Sequence, residues 1–439
     1  MRTKRTITAV AATAATALAL AGCSSGAAQP AADVTGEPVY EGKLSILTKF
    51  AGEPLESYFA DVAAEYEAEH PDVDVELIQE TDQSIKDKTK TLTASGALPD
   101  VYFTWTGDWA QNFVEGGLAA DLTELIAPGT EWGERFGEAS LSAFEYDGKY
   151  YGVPLYNNGK FMGYSKSAFA EAGVEVPTTF DELIQACGPL RDAGYEPIAF
   201  GNKDGWPALH YLQQLFAYNV PSDVLQADFD PETAQWTDPG YAKSLEQFQT
   251  LVTECTDTGT GTNGVLYTTA QEAFAGGRAA MYYQEVLEFD TVTAEGSTLT
   301  EEDFGIFPLP ATADAAGDPQ ALEGAPEGYL INAKSPQAAL AADFMKFATQ
   351  EEHATTLSSP PYGQPSSVVG AVTEETSSKA VYEGITQVNE ASQLVAWLDT
   401  VTVPEVAGAW LAGGEALISG SSTPEEVLES VRAANDDAK

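Results

Sequence analysis

The sequence predicts an α/β protein of two domains, and three observations carry that expectation. Leu44, Ile46 and Leu47 mark a strand; Leu55, Phe59, Val62, Ala63 and Tyr66 recur at helical spacing until Pro71; Val73, Val75 and Leu77 then alternate with Asp74 and Glu76. A strand, a helix and a strand within about 35 residues form a βαβ unit, which implies a parallel sheet with a right-handed crossover. Polar loops holding tryptophan follow two of the apolar strands, where open α/β sheets receive ligands. Finally, about 400 residues beyond a leader exceed what one core usually serves.

The chain opens with that leader. Arg2, Lys4 and Arg5 form a basic head, and Ile7 to Ala21 is an apolar run too short to span a bilayer. Leu20, Ala21, Gly22 and Cys23 match the lipobox at which bacterial lipoprotein signals are cut. Residues 1–22 are therefore expected to be removed and Cys23 to carry lipid, with an ordinary secretory signal as the alternative. Residues 23–41 are rich in Ala, Ser, Gly and Pro without periodicity. Such a stretch buries too little apolar area to order itself, and it is expected to tether the folded body to the outer face of the cytoplasmic membrane.

With Cys23 assigned to lipid, Cys187 and Cys255 are the remaining cysteines. Outside the cell such a pair is usually a disulfide; two unrelated buried thiols are the alternative. The formal net charge is −46, and losing Arg2, Lys4 and Arg5 makes it −49. A surface this negative repels nucleic acid and anionic lipid headgroups, so neither is an expected partner.

In the folded body, a strand over Pro99 to Trp105 ends in Thr106, Gly107, Asp108 and Trp109. An indole there can stack on a sugar ring and a carboxylate can accept its hydroxyl hydrogens, while core packing is the bland alternative for a tryptophan. Tyr150, Tyr151, Val153, Leu155 and Tyr156 form one β-prone run, and Phe161, Met162 and Tyr164 another, with Asn157, Asn158 and Gly159 between them. Asn-Gly is the commonest two-residue hairpin turn, so the local chemistry favours a β-hairpin; a hinge strand crossing a ligand cleft is the other reading. Thr179 is positioned to cap a helix from Asp181 through Arg191. Ile198 to Phe200 is a short strand that again ends in a polar loop with a tryptophan, Trp206. Tyr211, Leu212, Leu215 and Phe216 mark a core-facing helix. Gly259, Gly261 and Gly264 have the spacing of a dinucleotide loop, but they follow a helix end rather than a strand and carry no nucleotide role. Phe274 to Tyr283 forms a helix end, a turn and a strand; Ile306 to Leu309 and Tyr329 to Ile331 are further strands. Ala338 to Phe347 and a run capped by Thr423 are late helices.

Several of these segments resemble, in order, the extracellular solute-binding proteins of ABC importers, in the group similar to maltose-binding protein. They are Leu98-Pro99-Asp100-Val101, Gly148 to Pro154, Thr179 to Leu183, Gly277 to Met281, Phe304 to Pro310, and Gly420 to Leu428. The resemblance implies a two-lobed type II periplasmic-binding-protein fold, each lobe a mostly parallel sheet flanked by helices, closing on a ligand. Lobe 1 is expected over 42–156 plus 303–352, and lobe 2 over 157–302 plus 353–439. By the same matching, Trp105 is the stacking tryptophan, Asp108 a hydroxyl acceptor, Asn157 and Asn158 polar contacts, and Trp206, followed by Pro207, a ligand-loop aromatic. Many members carry Gly-x-Trp shortly after Ala280-Met281, whereas this chain has Glu285, Val286 and Leu287. Stacking is therefore expected at Tyr283, or the ligand is not a typical maltose-like sugar. Gln284 and Glu285 are polar candidates at that strand end, and Trp397 and Asp399 are candidates late in the chain.

The function implied is a monomeric, lipid-anchored receptor that delivers a saccharide to permease subunits, with no cofactor and no metal. The same fold with a polyol, amine or peptide ligand is the main alternative. A phosphate ester is disfavoured, since only 21 basic residues serve the whole chain and none cluster in the candidate loops. A cationic ligand would call for carboxylates facing aromatic walls. An exported hydrolase is the remote reading: no nucleophile elbow or zinc-binding His-Glu-x-x-His occurs, and His70, His210 and His353 are dispersed.

Overall fold

A computed structural model describes residues 33–257 and 259–439. The leader, Cys23 and the first part of the tether lie outside the described residues. The main strands, in chain order, are β1 Gly42–Thr48, β2 Val73–Gln79, β3 Val101–Thr104, β4 Gly152–Asn157, β5 Lys160–Ser165, β6 Glu196–Ala199, β7 Ala279–Glu285, β8 Phe304–Phe307 and β9 Pro326–Ile331. The helices used below are α1 Leu55–Glu69, α2 Asp82–Ser95, α3 Asp108–Glu115, α4 Phe180–Asp192, α5 Trp206–Asn219, α6 Pro239–Cys255, α7 Leu398–Val401 and α8 Pro404–Ser419.

Two sheets result. The first runs β2-β1-β3-β9-β4 and the second β8-β5-β7-β6. β1 and β2 pair in parallel from Gly42 against Val73 to Thr48 against Gln79, across α1, which is the βαβ unit read from the apolar pattern. β2 is an edge strand, so its Asp74 and Glu76 stay solvated, whereas every residue of β3 and β9 is buried. Within these two sheets β1 pairs in parallel with β2 and β3, and β6 with β7, while the other ladders are antiparallel. The sheets are thus mixed rather than mostly parallel. A chain that leaves a lobe and returns re-enters its sheet without the crossover helix that makes neighbours parallel.

The Asn158-Gly159 turn does not close a hairpin. β4 belongs to the first sheet and β5 to the second, so the chain changes lobes there. The hairpin lies just upstream, where Asp147 (φ 53°) and Gly148 (φ 74°) join Glu145–Tyr146 to Lys149–Tyr150. The return crossing passes beside the outgoing one: Asn158 donates its amide to Ala325 at 3.2 Å, and a Cβ on Gly324 would stand 2.4 Å from the Asn158 carbonyl oxygen. Only glycine admits that approach.

The expected lobe boundaries need correction. β8 pairs with β5 in the second sheet, and Phe304 packs against Phe274 and Phe289, so the chain returns to lobe 1 near Gly324, not at residue 303. Ala354, Leu357, Val368 and Ala371 pack into the core of lobe 1, beyond the expected limit at 352. Which sheet a strand joins depends on distant partners, which a local apolar pattern does not encode.

Each lobe has its own core. Leu44, Ile46, Phe103, Tyr329 and Leu330 centre the first; Leu183, Leu212, Phe248, Met281 and Trp410 centre the second. Thr179 caps α4 in a capping box with Glu182, as its sequence predicts. A disulfide joins Cys187 on α4 to Cys255 at the end of α6, with Cα atoms 5.2 Å apart. The glycine-rich 259–264 stretch forms a 3-10 turn packed on α8. His70 ends α1, and its ring stacks on Tyr40 at 3.9 Å.

Candidate functional site

The carboxyl ends of β1, β3 and β7 point their following residues at one cleft between the lobes. Lys49 follows β1, Trp105 follows β3, and Glu285 closes β7. Asp82 and Lys86 come from the first turns of α2, Trp206 and His210 from the start of α5, and Trp397, Asp399 and Thr400 from α7 and the residue before it. With Glu327 from β9 these residues enclose about 30 Å³, room for little more than a water.

Across the cleft α7 packs on α5 and α8 on one side and on α3 on the other. Lys86 of lobe 1 pairs with Asp399 at 2.5 Å. Gly107, at φ 75°, lies so close to α7 that a Cβ there would meet the Thr400 carbonyl oxygen at 2.8 Å.

Buried charge dominates the chemistry. Lys49 is 3 % exposed and pairs with Glu327 at 2.8 Å and Asp82 at 3.1 Å. Burial works against its ammonium, but Asp82 and Glu327 outweigh it and hold the pKa well above the usual lysine value. Glu327 also accepts from Tyr156 Oη at 2.5 Å and Trp397 Nε1 at 3.1 Å. Burial raises its pKa, and Lys49 opposes that rise. On the lobe 2 side His210 Nδ1 lies 2.8 Å from Glu323 Oε1. Burial, with Lys160, Lys86 and Lys49 nearby, pushes His210 well below its ordinary range, so it stays neutral. Burial pushes Glu323 up, while Lys160 opposes. Glu285 stands 3.4 Å from Lys160 and accepts from Asn158 Nδ2 at 2.6 Å. Behind it, burial pushes Glu288 up to about 7.

Ammonium groups already lie against the indole faces: Lys86 is 5.0 Å from the Trp105 ring centre and Lys160 5.8 Å from that of Trp206. Trp206 and Trp397 both meet the His210 ring edge-on, at 5.3 and 5.0 Å.

A wider groove of about 520 Å³ adjoins the cleft and shares Lys86, Trp206 and Asp399 with it. α2 and α3 form one wall, with Trp109 and Phe113, and α8 forms the other, with Ala407 and Leu411.

Of the residues singled out in the sequence, Trp105, Trp206, Glu285, Trp397 and Asp399 line the cleft, and Asp108 lines the groove. Asn158 is buried and braces Glu285 rather than facing the cleft. Asn157 turns into lobe 1, where its Oδ1 accepts from Ser140 and Ser367 at 2.8 and 3.1 Å. Tyr283 lies in the lobe 2 core against Tyr211, its hydroxyl 3.4 Å from Glu323, so it offers no stacking face. Gln284 points to the opposite sheet face, over Gly163, and is fully buried. Strand alternation explains Gln284, while Tyr283 shares the face of Glu285 but lies two residues deeper, within the lobe 2 core, so that only the last residue of β7 reaches the cleft. Sequence reasoning missed Lys49, Asp82, Lys86, Lys160, His210, Glu323 and Glu327. Lys49 follows β1 directly and Asp82 opens the helix just beyond β2, so the strand-end rule that picked Trp105 also reaches them.

Comparison with known proteins agrees with this architecture. The model of the family described as bacterial extracellular solute-binding protein matches residues 52–355. A maltotriose-binding protein of Pyrococcus abyssi is 28% identical over 258 residues, 57% of this chain; the match spans only half the length of that relative. The diacetylchitobiose binding protein DasA of Streptomyces coelicolor is 26% identical over 329 residues, 72% of each chain. Among solved structures, a chitin oligosaccharide binding protein superposes with a TM-score of 0.81 at 22% identity, covering 91% of this chain and 99% of that one. At that identity the likeness speaks for the two-lobed type II fold.

Proposed function

Since the chain belongs to the bacterial extracellular solute-binding protein family, we propose that it captures a saccharide between its lobes and delivers it to the permease of an ABC importer. Lipid on Cys23 would hold it at the membrane, and residues 23–41 would give the body reach.

The observation that carries this reading is the convergence of Trp105, Trp206 and Trp397 with Glu285, Glu327 and Asp399 at one interlobe cleft. Indole faces pack on the apolar faces of a sugar ring, and carboxylates accept from its hydroxyls. The walls belong to different lobes, so a ligand touching both binds the closed form better and shifts the population toward it. The groove beside the cleft is in the size range of ligand sites, which favours a ligand of more than one ring. The saccharides in the relatives' names support the same class.

Thermal unfolding of the soluble chain without its leader, against mono- and oligosaccharides, polyols, amines and short peptides, tests it. A ligand at 100 times its Kd adds about 2.7 kcal/mol. A stabilisation by saccharides, lost in Trp105→Ala and Trp206→Ala, is the expected result. Stabilisation only by peptides or amines that are not sugars overturns the saccharide reading, and cleavage of an incubated glycan overturns the receptor reading.

A further inference from the structure

Trp105 follows β3 at the place where a stacking ring would serve a ligand, yet only 5 % of it is exposed. Its ring is covered from within: Lys86 Nζ stands 5.0 Å from the ring centre and Lys49 Nζ 5.9 Å. The cleft around them encloses about 30 Å³, the share of a single water in the liquid. A sugar ring therefore reaches the indole face only if a side chain leaves it.

The two lysines are held with different firmness. Lys49 is buried between two carboxylates, Glu327 and Asp82. Lys86 is 16 % exposed and has one ion pair among the described residues, to Asp399 at 2.5 Å. Its four-carbon stem can swing without moving α2. The pair also stands at a boundary, because Lys86, Asp399 and Trp206 are the residues that line both the cleft and the wider groove. Through it α2 of lobe 1 is tied to α7, which packs on α5 and α8 of lobe 2. The groove offers the displaced ammonium a counter-charge. Asp108 lines it, accepts from the Asn112 amide at 2.6 Å and has no ion pair among the described residues; burial raises its pKa.

Resting on the receptor reading above, we propose that Lys86 is a gate: it covers Trp105 and, through Asp399, closes the passage from groove to cleft, and a saccharide entering from the groove displaces it. The gate sets specificity. Breaking the pair leaves the nearly buried Asp399 carboxylate in need of donors, so a ligand is admitted when it brings hydroxyls to Asp399 as well as an apolar face to Trp105. A flat apolar molecule that stacks but donates nothing is refused.

Calorimetry and stopped-flow tryptophan fluorescence with three uncharged trisaccharides, maltotriose, triacetylchitotriose and xylotriose, test this on the wild type and on Lys86→Ala, Lys86→Gln and Lys86→Arg. Lys86→Ala uncovers the indole and should bind roughly tenfold tighter, the worth of a cation–π contact at a mostly desolvated site. The gain should appear in the association rate with dissociation little changed, because the substitution removes a closed state that precedes binding. Lys86→Gln, which loses the charge and keeps the stem, should gain in the same direction. Lys86→Arg, which keeps a cation over the ring and a donor for Asp399, should show no such gain. Unfolding curves show which variants are folded. Weaker or unchanged binding in folded Lys86→Ala or Lys86→Gln overturns the gate and leaves the saccharide receptor standing, as does a gain confined to slower dissociation. Binding of no trisaccharide by any of the four proteins overturns both.

Discussion

Replacing Lys49 with methionine tests whether buried charge pairing stabilises the cleft wall. The two side chains are similar in length, so the change removes an ammonium with little change in packing. Glu327, 1 % exposed, then keeps two neutral donors among the described residues, Tyr156 Oη and Trp397 Nε1. Removing one partner of a buried pair costs about 3–5 kcal/mol, because the other charge stays behind uncompensated. The pH dependence follows from linkage. Burial already raises the Glu327 pKa, with Lys49 holding it down, so the substitution raises it further. A carboxyl raised by folding binds its proton more tightly in the folded state, so stability falls as pH climbs from the unfolded range, about 4.3, to the folded pKa. The variant should therefore lose about 3–5 kcal/mol at pH 8 and less than half of that near pH 5. Urea unfolding at both pH values, read by tryptophan fluorescence, measures this, with Glu327→Gln and the double variant completing a cycle. The double variant should recover most of the loss. An equal loss at both pH values, or additive single losses, would refute the reasoning.

Two further outcomes follow from the same structure. Burial holds Glu288 up to about 7, so part of the stability present in acid should be lost between about pH 4.3 and 7 and no more above it; a pH series of unfolding curves should lose this step in Glu288→Gln. Cys187 and Cys255 are 68 residues apart, and opening that loop in Cys187→Ser/Cys255→Ser should cost about 4 kcal/mol by the chain-entropy relation. A denaturation midpoint shared by the oxidised protein and the variant would contradict that.

The elements that were legible in the sequence are those whose cause is local. The apolar pattern of residues 44–77 contains the βαβ unit because each period is set by nearby residues, and the capping box of Thr179 and Glu182 spans three positions. Asn158-Gly159 shows where locality stops. Its turn chemistry matches a hairpin, and so does that of Asp147-Gly148; only the latter is flanked by strands that share a sheet. The difference lies in the partners of β4 and β5, which are β9 on one side and β7 and β8 on the other, more than a hundred residues downstream.

The site divides along the same line. Trp105 and Glu285 end strands, and Trp206 follows the loop after β6, so a rule about strand ends finds them. Its extension fails at Gln284 because alternation points that side chain to the opposite face, and at Tyr283 because a position two residues before the strand end is still inside the lobe 2 core. His210 and Glu323 carry no local mark. His210 lies one turn into a helix whose apolar neighbours are core, and 113 residues separate it from Glu323, its partner. Glu327 sits inside a strand whose every residue is buried, where a charge breaks the ordinary burial pattern. That breach is itself a signal: a glutamate between apolar strand residues costs stability unless something meets it, and here Lys49, Tyr156 and Trp397 do so from three distant segments. The charges that this fold buries by recruiting partners from distant segments are the ones that define the cleft, and they become readable only once the chain crossings have brought those partners together.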